Sequence, residues 1–105
     1  MTITFKAGVG VVQVDKEVFN IISVASSIWE RQGWGTVVVT SISDGVHKPT
    51  SLHYWGKAVD LRVWGIEVIH AATLLKEELG KDYDVVVERD HIHVEYDPKK
   101  PEINV

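Results

Sequence analysis

The side chains best suited to chemistry fall in two short stretches of this 105-residue chain. Residues 51–60 carry His53 and Asp60, seven positions apart, and the second stretch carries His91 and His93. Imidazole and carboxylate groups are the ligands of catalytic zinc sites, in which a further coordination position stays open for water. A lone His-x-His pair is more often a solvated strand face than a metal site. Because the two stretches occur together, the sequence indicates a zinc site.

Both stretches alternate with the period of two that is typical of a half-buried strand. After Gly56, small or polar residues alternate with the apolar residues Val59, Leu61 and Val63. In the second stretch, His91, His93 and Glu95 alternate with Ile92, Val94 and Tyr96. Side chains two positions apart point to the same side of a strand. If the two strands pair, Asp60 and both histidines therefore share one polar face.

Residues 51–60 follow the pattern Ser-x-His-x-x-Gly-x-Ala-x-Asp. With the His-x-His at 91–93, this motif resembles the zinc metallopeptidases that cleave bacterial cell-wall peptides. These are the D-alanyl-D-alanine metallopeptidases and the L-alanyl-D-glutamate endopeptidases, many of them bacteriophage endolysins. The preceding segment 44–47, Asp-Gly-Val-His, is similar to part of the amino-terminal signalling domain of hedgehog proteins, which has the same zinc-site fold. The resemblance extends from about residue 40 to residue 96.

The resemblance implies one zinc ion per chain, held by His53, Asp60 and His93. It places His91 beside the metal, where the imidazole can hydrogen-bond the substrate or the transition state. It also implies that the substrate is a peptidoglycan stem peptide, cut by metal-activated water with a carboxylate as general base. The motif does not distinguish cleavage of a D-alanyl-D-alanine bond from cleavage of an L-alanyl-D-glutamate bond.

Two carboxylates compete for the role of general base. Asp90 lies three residues before His93, which matches the Asp/Glu-x-x-His spacing of the cell-wall peptidases. Glu88 resembles the glutamate that precedes His-x-His in hedgehog proteins, although this chain is one residue shorter there. A two-residue turn at 89–90 would place Glu88 opposite His91 on the same face. Asp90 is the preferred base, and Glu88 is the alternative.

The chain departs from the cell-wall peptidases in lacking the upstream arginine that often polarises the substrate carbonyl. Residues 33–59 contain no arginine, so the resemblance leaves this role to His47 or Lys48. The hedgehog pattern has a histidine at the position of His47, and the alternative is that His47 is a plain surface residue of a loop.

Two classes of function stay open. The candidate bases favour a peptidase, and the missing arginine favours a hedgehog-like zinc-bearing binding or structural domain without turnover.

Composition indicates an ordinary globular protein, with 45% apolar and 25% charged residues. The length predicts one domain over residues 1–105, with 97–105 as a loosely ordered tail. The net charge of −4 argues against a nucleic-acid partner, and the absence of cysteine excludes disulfides and thiolate ligands. No signal peptide or membrane-spanning stretch is recognised, which predicts a protein that is cytoplasmic as synthesised and has no membrane partner. The chain is expected to be a monomer. The endolysin resemblance adds the expectation of a phage protein that acts on the bacterial cell wall.

Periodicity predicts two helices and four main strands. The first helix is expected from an N-cap at Asp15 to Gln32, with a core stripe of Val18, Ile22, Ala25 and Trp29. The second is expected over 66–79, with His70 at its surface and a core stripe of Ile66, Ile69, Ala72, Leu75 and Leu79. Strands are expected near Thr36, Ala58, Val85 and His91, with a further short strand at 11–14. The predicted fold is α+β: a mainly antiparallel sheet with two helices on one face and an open face for the zinc site.

Overall fold

The computed structural model of the chain describes residues 3–8, 16–43 and 57–98. These ranges form two helices and a five-stranded sheet, so the predicted α+β class is confirmed. In chain order, the elements are β1 (Ile3–Phe5), α1 (Lys16–Gln32), β2 (Val37–Ser43), β3 (Ala58–Arg62), α2 (Val68–Leu79), β4 (Tyr83–Val87) and β5 (His91–Tyr96). The predicted N-cap Asp15 and the strand expected at 11–14 lie outside the described residues.

The strands are arranged in the order β1-β2-β3-β5-β4. The pairs β2–β3, β3–β5 and β4–β5 are antiparallel, as the sequence predicts, whereas β1 runs parallel to β2. Strand β1 is absent from the sequence prediction because its three residues are too few to show an alternating pattern. The described sheet is therefore mixed, with five strands in place of the four main strands that were predicted.

Helix α1 packs into the core through the stripe predicted for it. The buried residues of that stripe are Val18, Ile22, Ala25 and Trp29. Their spacing of three and four residues places them on one face of the helix. After the helix the chain turns at Gly33, whose φ of 73° is a conformation that favours glycine. Lys57 lies just before β3, and its Nζ lies 3.1 Å from Oε1 of Glu17 on α1. This ion pair links the helix to the start of β3.

Helix α2 begins at Val68, two residues later than predicted. Gly65 turns the chain after β3 with a φ of 74°. Glu67 still has an extended backbone, with φ of −88° and ψ of 99°. The chain therefore becomes helical only after Glu67, and the part of the predicted helix before that residue belongs to the connection from β3.

The buried face of α2 consists of Ala71, Ala72 and Leu75. The prediction that Ile69 faces the core was wrong, since its side chain is 71% exposed. The reason is that Ile69 lies roughly 200° around the helix from Ala71. His70 is exposed, as predicted, and its ring packs edge-on against Trp34. Neither of the helices within the described ranges has the length and apolar content needed to cross a membrane.

The sheet has a buried face and an open face. On the buried face, Val59 pairs with Val94 and Leu61 pairs with Ile92. All four side chains are buried in a core to which α1 and α2 both contribute. The partly exposed residues of the opposite face on β3 and β5 include Asp60, Arg62, His91, His93 and Glu95. The predicted assignment of faces along these two strands is therefore confirmed.

We expect Leu61→Ala to lower the free energy of unfolding by about 2–5 kcal/mol, because truncation of a fully buried side chain leaves a cavity. Ile69→Ala is the matched control, since it removes the same number of carbon atoms from an exposed position, and its effect should stay within about 0.5 kcal/mol. Chemical denaturation followed by circular dichroism measures both variants. Equal losses at the two positions would contradict the assignment of the buried face.

Candidate zinc and catalytic site

The register of β3 and β5 brings two of the predicted metal ligands together. Asp60 and His93 are direct cross-strand partners, and Nδ1 of His93 lies 2.8 Å from Oδ1 of Asp60. Nε2 of His91 lies 3.7 Å from the same carboxylate oxygen. One carboxylate therefore faces two imidazoles on the open face of the sheet. The described members of the two sequence stretches, Asp60 from the first and His91 and His93 from the second, form one cluster, as the alternating pattern predicts.

His93 is held between two carboxylates. Its Nδ1 faces Asp60, and its Nε2 lies 3.1 Å from Oε1 of Glu95. The hydrogen bond with Asp60 is the main cause that raises the pKa of His93 to about 9, while partial burial opposes the shift and Glu95 adds to it. Near neutral pH the imidazole of the metal-free protein is therefore protonated and donates one N–H to each carboxylate. Binding of a metal ion by His93 must displace one of these protons.

Glu95 is a site residue to which the sequence assigned no role. Its position two residues after His93 placed it on the correct face, but alternation indicates only a face and not a contact. Across the strands Glu95 pairs with Ala58, whose small side chain leaves room for the glutamate to turn towards His93. The sequence signal for this contact is the spacing His-x-Glu on a strand that faces a small residue.

A β-bulge in β2 lies next to Asp60. Val39 pairs with Leu61 and Ser41 pairs with Asp60, so Thr40 is the extra residue between them. The Thr40 hydroxyl donates a hydrogen bond to the backbone carbonyl of Asp60, with an oxygen–oxygen distance of 3.3 Å. Bulges often occur beside functional sites, where they redirect a side chain. Here the bulge gives the backbone of Asp60 a side-chain partner from the neighbouring strand.

The hairpin of β4 and β5 positions both candidate bases. The backbone N–H of Glu88 donates to the carbonyl of His91 at 2.8 Å, which closes the predicted two-residue turn and sets Glu88 opposite His91. Within that turn, Oδ1 of Asp90 lies 2.7 Å from Nδ1 of His91. This hydrogen bond lowers the pKa of Asp90, so its carboxylate, which is 80% exposed, is ionised at neutral pH. Asp90 therefore contacts His91, whereas its role was predicted from its spacing to His93.

The donor atoms of Asp60 and His93 fit zinc, which binds carboxylate oxygen and imidazole nitrogen. Within residues 3–8, 16–43 and 57–98, no group of three His, Cys, Asp or Glu side chains could hold a metal ion. The third predicted ligand, His53, lies outside the described residues, as do His47 and Lys48. The three-ligand site therefore stays a prediction, and the structure brings two of its members together.

No protein-family model matches the chain, and a search of curated proteins gave no significant match. The function is therefore inferred from the sequence motif and from the geometry of the site.

We expect His93 in the chelator-treated protein to titrate with a pKa of about 9, above the ordinary histidine value of 6.5. Asp60→Asn should lower this pKa more than Glu95→Gln, because the hydrogen bond with Asp60 makes the largest contribution. NMR titration of the imidazole nitrogens measures the three values. Asp90→Asn is the control, since that carboxylate contacts His91 and its loss should leave the pKa of His93 high.

The same shift makes the stability of the metal-free protein depend on pH. Because the folded pKa of His93 lies above the unfolded value, its protonation stabilises the fold fully below about pH 6.5. This stabilisation should be lost as the pH rises from 6.5 towards 9, and Asp60→Asn should flatten the dependence. A His93 pKa near 6.5 in the folded protein would contradict the arrangement between the two carboxylates.

Proposed function

We propose that this protein is a zinc-dependent peptidase that hydrolyses peptide bonds in peptidoglycan stem peptides. The observation that carries the proposal is the pairing of Asp60 with His93, with His91 beside them, on an open sheet face. The resemblance to the D-alanyl-D-alanine and L-alanyl-D-glutamate metallopeptidases implies this arrangement. The α+β architecture, with its core on the other side of the sheet, supports a hedgehog/DD-peptidase fold. On this proposal the protein is a monomer that acts on the cell wall. It binds neither nucleic acid nor a membrane.

His53, Asp60 and His93 would hold the zinc ion. When bound, zinc lowers the pKa of a water ligand to about 7 and so supplies hydroxide near neutral pH. Glu95 orients His93, because it hydrogen-bonds the ring nitrogen that is not directed at Asp60. A carboxylate that holds the second nitrogen of a ligating histidine fixes the ring and increases its basicity.

Asp90 is the general base in this proposal. Its carboxylate is ionised and exposed, so it can accept the proton of the attacking water and transfer it to the leaving amine. Its hydrogen bond to His91 also fixes that ring with Nε2 towards Asp60. From this position His91 donates a hydrogen bond to the substrate carbonyl oxygen, on which negative charge develops. Glu88 is the alternative base, and His47 is the candidate for a second group that polarises the carbonyl.

A zinc-bearing binding or structural domain without turnover, as the hedgehog resemblance allows, is the second candidate. The observation in its favour is the lowered pKa of Asp90, because a carboxylate that ionises so readily is a weak base near neutral pH. Such a domain would retain zinc at His53, Asp60 and His93 yet cleave no peptide. The two candidates differ in turnover, so an activity assay on the zinc-loaded protein separates them.

We expect the purified protein to contain one zinc ion per chain, and His53→Ala and His93→Ala each to lose it. His70→Ala is the control, because this histidine lies exposed on α2 and should leave the zinc content unchanged. Elemental analysis measures the metal in all four proteins. Because the ligands must be deprotonated, zinc affinity should also fall as the pH is lowered through the histidine range. Undiminished zinc in His53→Ala would remove that residue from the ligand set.

We expect the zinc-loaded protein to release fragments from purified peptidoglycan, identified by mass spectrometry. Asp90→Asn should keep the fold and the zinc but lose about 10²–10⁴-fold in the rate of hydrolysis. Glu88→Gln makes the same change from carboxylate to amide on the same hairpin and should be milder. The reverse ranking would make Glu88 the base. If the zinc-loaded wild type cleaves stem peptides of no chemical type, the second candidate, a zinc-bearing domain without turnover, would be favoured.

A further inference from the structure

Arg62 lies on the open face of the sheet, two residues beyond Asp60. It is outside the Ser-x-His-x-x-Gly-x-Ala-x-Asp motif, which ends at Asp60, and the proposed mechanism does not use it. In the register of β3 with β5, Arg62 is the direct cross-strand partner of His91. Side chains at such paired positions are immediate neighbours on one face. Arg62 is therefore the cross-strand neighbour of the residue whose imidazole is assigned to the substrate carbonyl.

The guanidinium of Arg62 is placed over the indole ring of Trp64. Its Cζ lies 4.0 Å from the ring centroid, and Trp64 is itself 73% exposed. Trp64 belongs to the turn that follows β3, in which Gly65 has a φ of 74°. A guanidinium over an indole face is a favourable cation–π contact. The contact restricts the arginine side chain and holds its charge at the edge of the site.

Arg62 forms no ion pair within the ranges 3–8, 16–43 and 57–98, although Asp60 is close in sequence on the same face. A cation–π contact does not require the N–H donors of a guanidinium to bond an oxygen acceptor. Within the described residues, the donors of Arg62 are thus available for two parallel hydrogen bonds to a carboxylate. A restrained guanidinium with available donors, on the cross-strand neighbour of His91, is suited to recognise an anionic group of a substrate.

We infer that Arg62, supported by Trp64, binds a carboxylate of the substrate close to the bond that is cut, and so determines specificity. The inference rests on the proposed peptidase function. Asp60 and Arg62 are about 7 Å apart along β3, the length of roughly two residues of an extended peptide. The substrate class is therefore a peptide with a carboxylate on one of the two residues next to the scissile bond. Both candidate bonds meet this condition, through the α-carboxylate of terminal D-alanine or of γ-linked D-glutamate.

The test uses two pairs of synthetic stem peptides, one pair for each candidate bond. Within a pair, the carboxylate next to the bond is either free or converted to a primary amide. The zinc-loaded wild type should cleave the free acid with a kcat/KM about 10- to 100-fold above that of the amide, the range expected for a charge-assisted hydrogen bond. In Arg62→Gln this preference should disappear, through a higher KM for the acid with little change for the amide. A merely structural role of Arg62 would reduce cleavage of both peptides alike.

Two further substitutions serve as controls on the ratio of acid to amide. Arg89→Gln removes the same charge from the hairpin turn and should preserve the ratio, because a general electrostatic effect would be lost with any nearby arginine. Trp64→Ala should reduce the ratio in part, and Trp64→Phe should largely restore it because an aromatic face is present again. A ratio that falls equally in Arg62→Gln and Arg89→Gln would contradict a specific contact at Arg62.

A binding measurement separates failure of this inference from failure of the proposed function. N-acetyl-D-alanine or its primary amide is titrated into ¹⁵N-labelled protein, and the indole N–H signal of Trp64 is followed. A shift with the acid alone, without cleavage of any stem peptide, would support the carboxylate site and overturn the peptidase. Cleavage with equal kcat/KM for acid and amide, and no shift at Trp64, would overturn the carboxylate site and leave the peptidase. Absence of both cleavage and shift would overturn both.

Discussion

The antiparallel pairing of β3 with β5 is the constraint on which the core and the site both depend. Its register sets Leu61 against Ile92 on the buried face and Asp60 against His93 on the open face. Because side chains alternate with a period of two, a slip of one residue would exchange the two faces. The carboxylate and the imidazole would then enter the apolar core, where unpaired polar groups are strongly unfavourable. The packing of the core therefore fixes the geometry of the site.

On the open face, each histidine has its own supporting carboxylate. Glu95 contacts His93, and Asp90 contacts His91, while Asp60 lies between the two rings. This arrangement uses acidic side chains from both strands and from the hairpin turn to orient two imidazoles. Rings that are oriented before a ligand arrives lose less conformational freedom when they bind it. The acidic side chains on this face have a second effect. They repel an anionic group, so an anionic substrate would need a cationic side chain nearby in order to bind.

Sequence periodicity predicted α1, the strands β3 and β5, and the face of Asp60, because each pattern is long enough to show its period. Strand β1 was not predicted. Its place in the sheet depends on parallel pairing with β2, and a segment of three residues carries no sequence pattern that indicates such a tertiary contact. Ile69 was assigned to the core wrongly, since the side from which α2 is covered depends on its neighbours and not on its own pattern. The contacts of Glu95 with His93 and of Asp90 with His91 depend on side-chain torsion angles, which spacing along the chain does not determine.

The two parts of the site differ in the length of chain that must close before they form. Asp90 and His91 are adjacent in a hairpin with a two-residue turn, whereas Asp60 and His93 are 33 residues apart, with α2 and β4 between them. Hairpins form in about 1–10 μs, while contacts between distant residues wait for closure of the intervening chain. We therefore expect the contact between Asp90 and His91 to precede the arrival of Asp60 during folding. A nascent chain would first present a histidine-bearing hairpin, and a metal ion would meet Asp60 and His93 together only after the tertiary fold is complete.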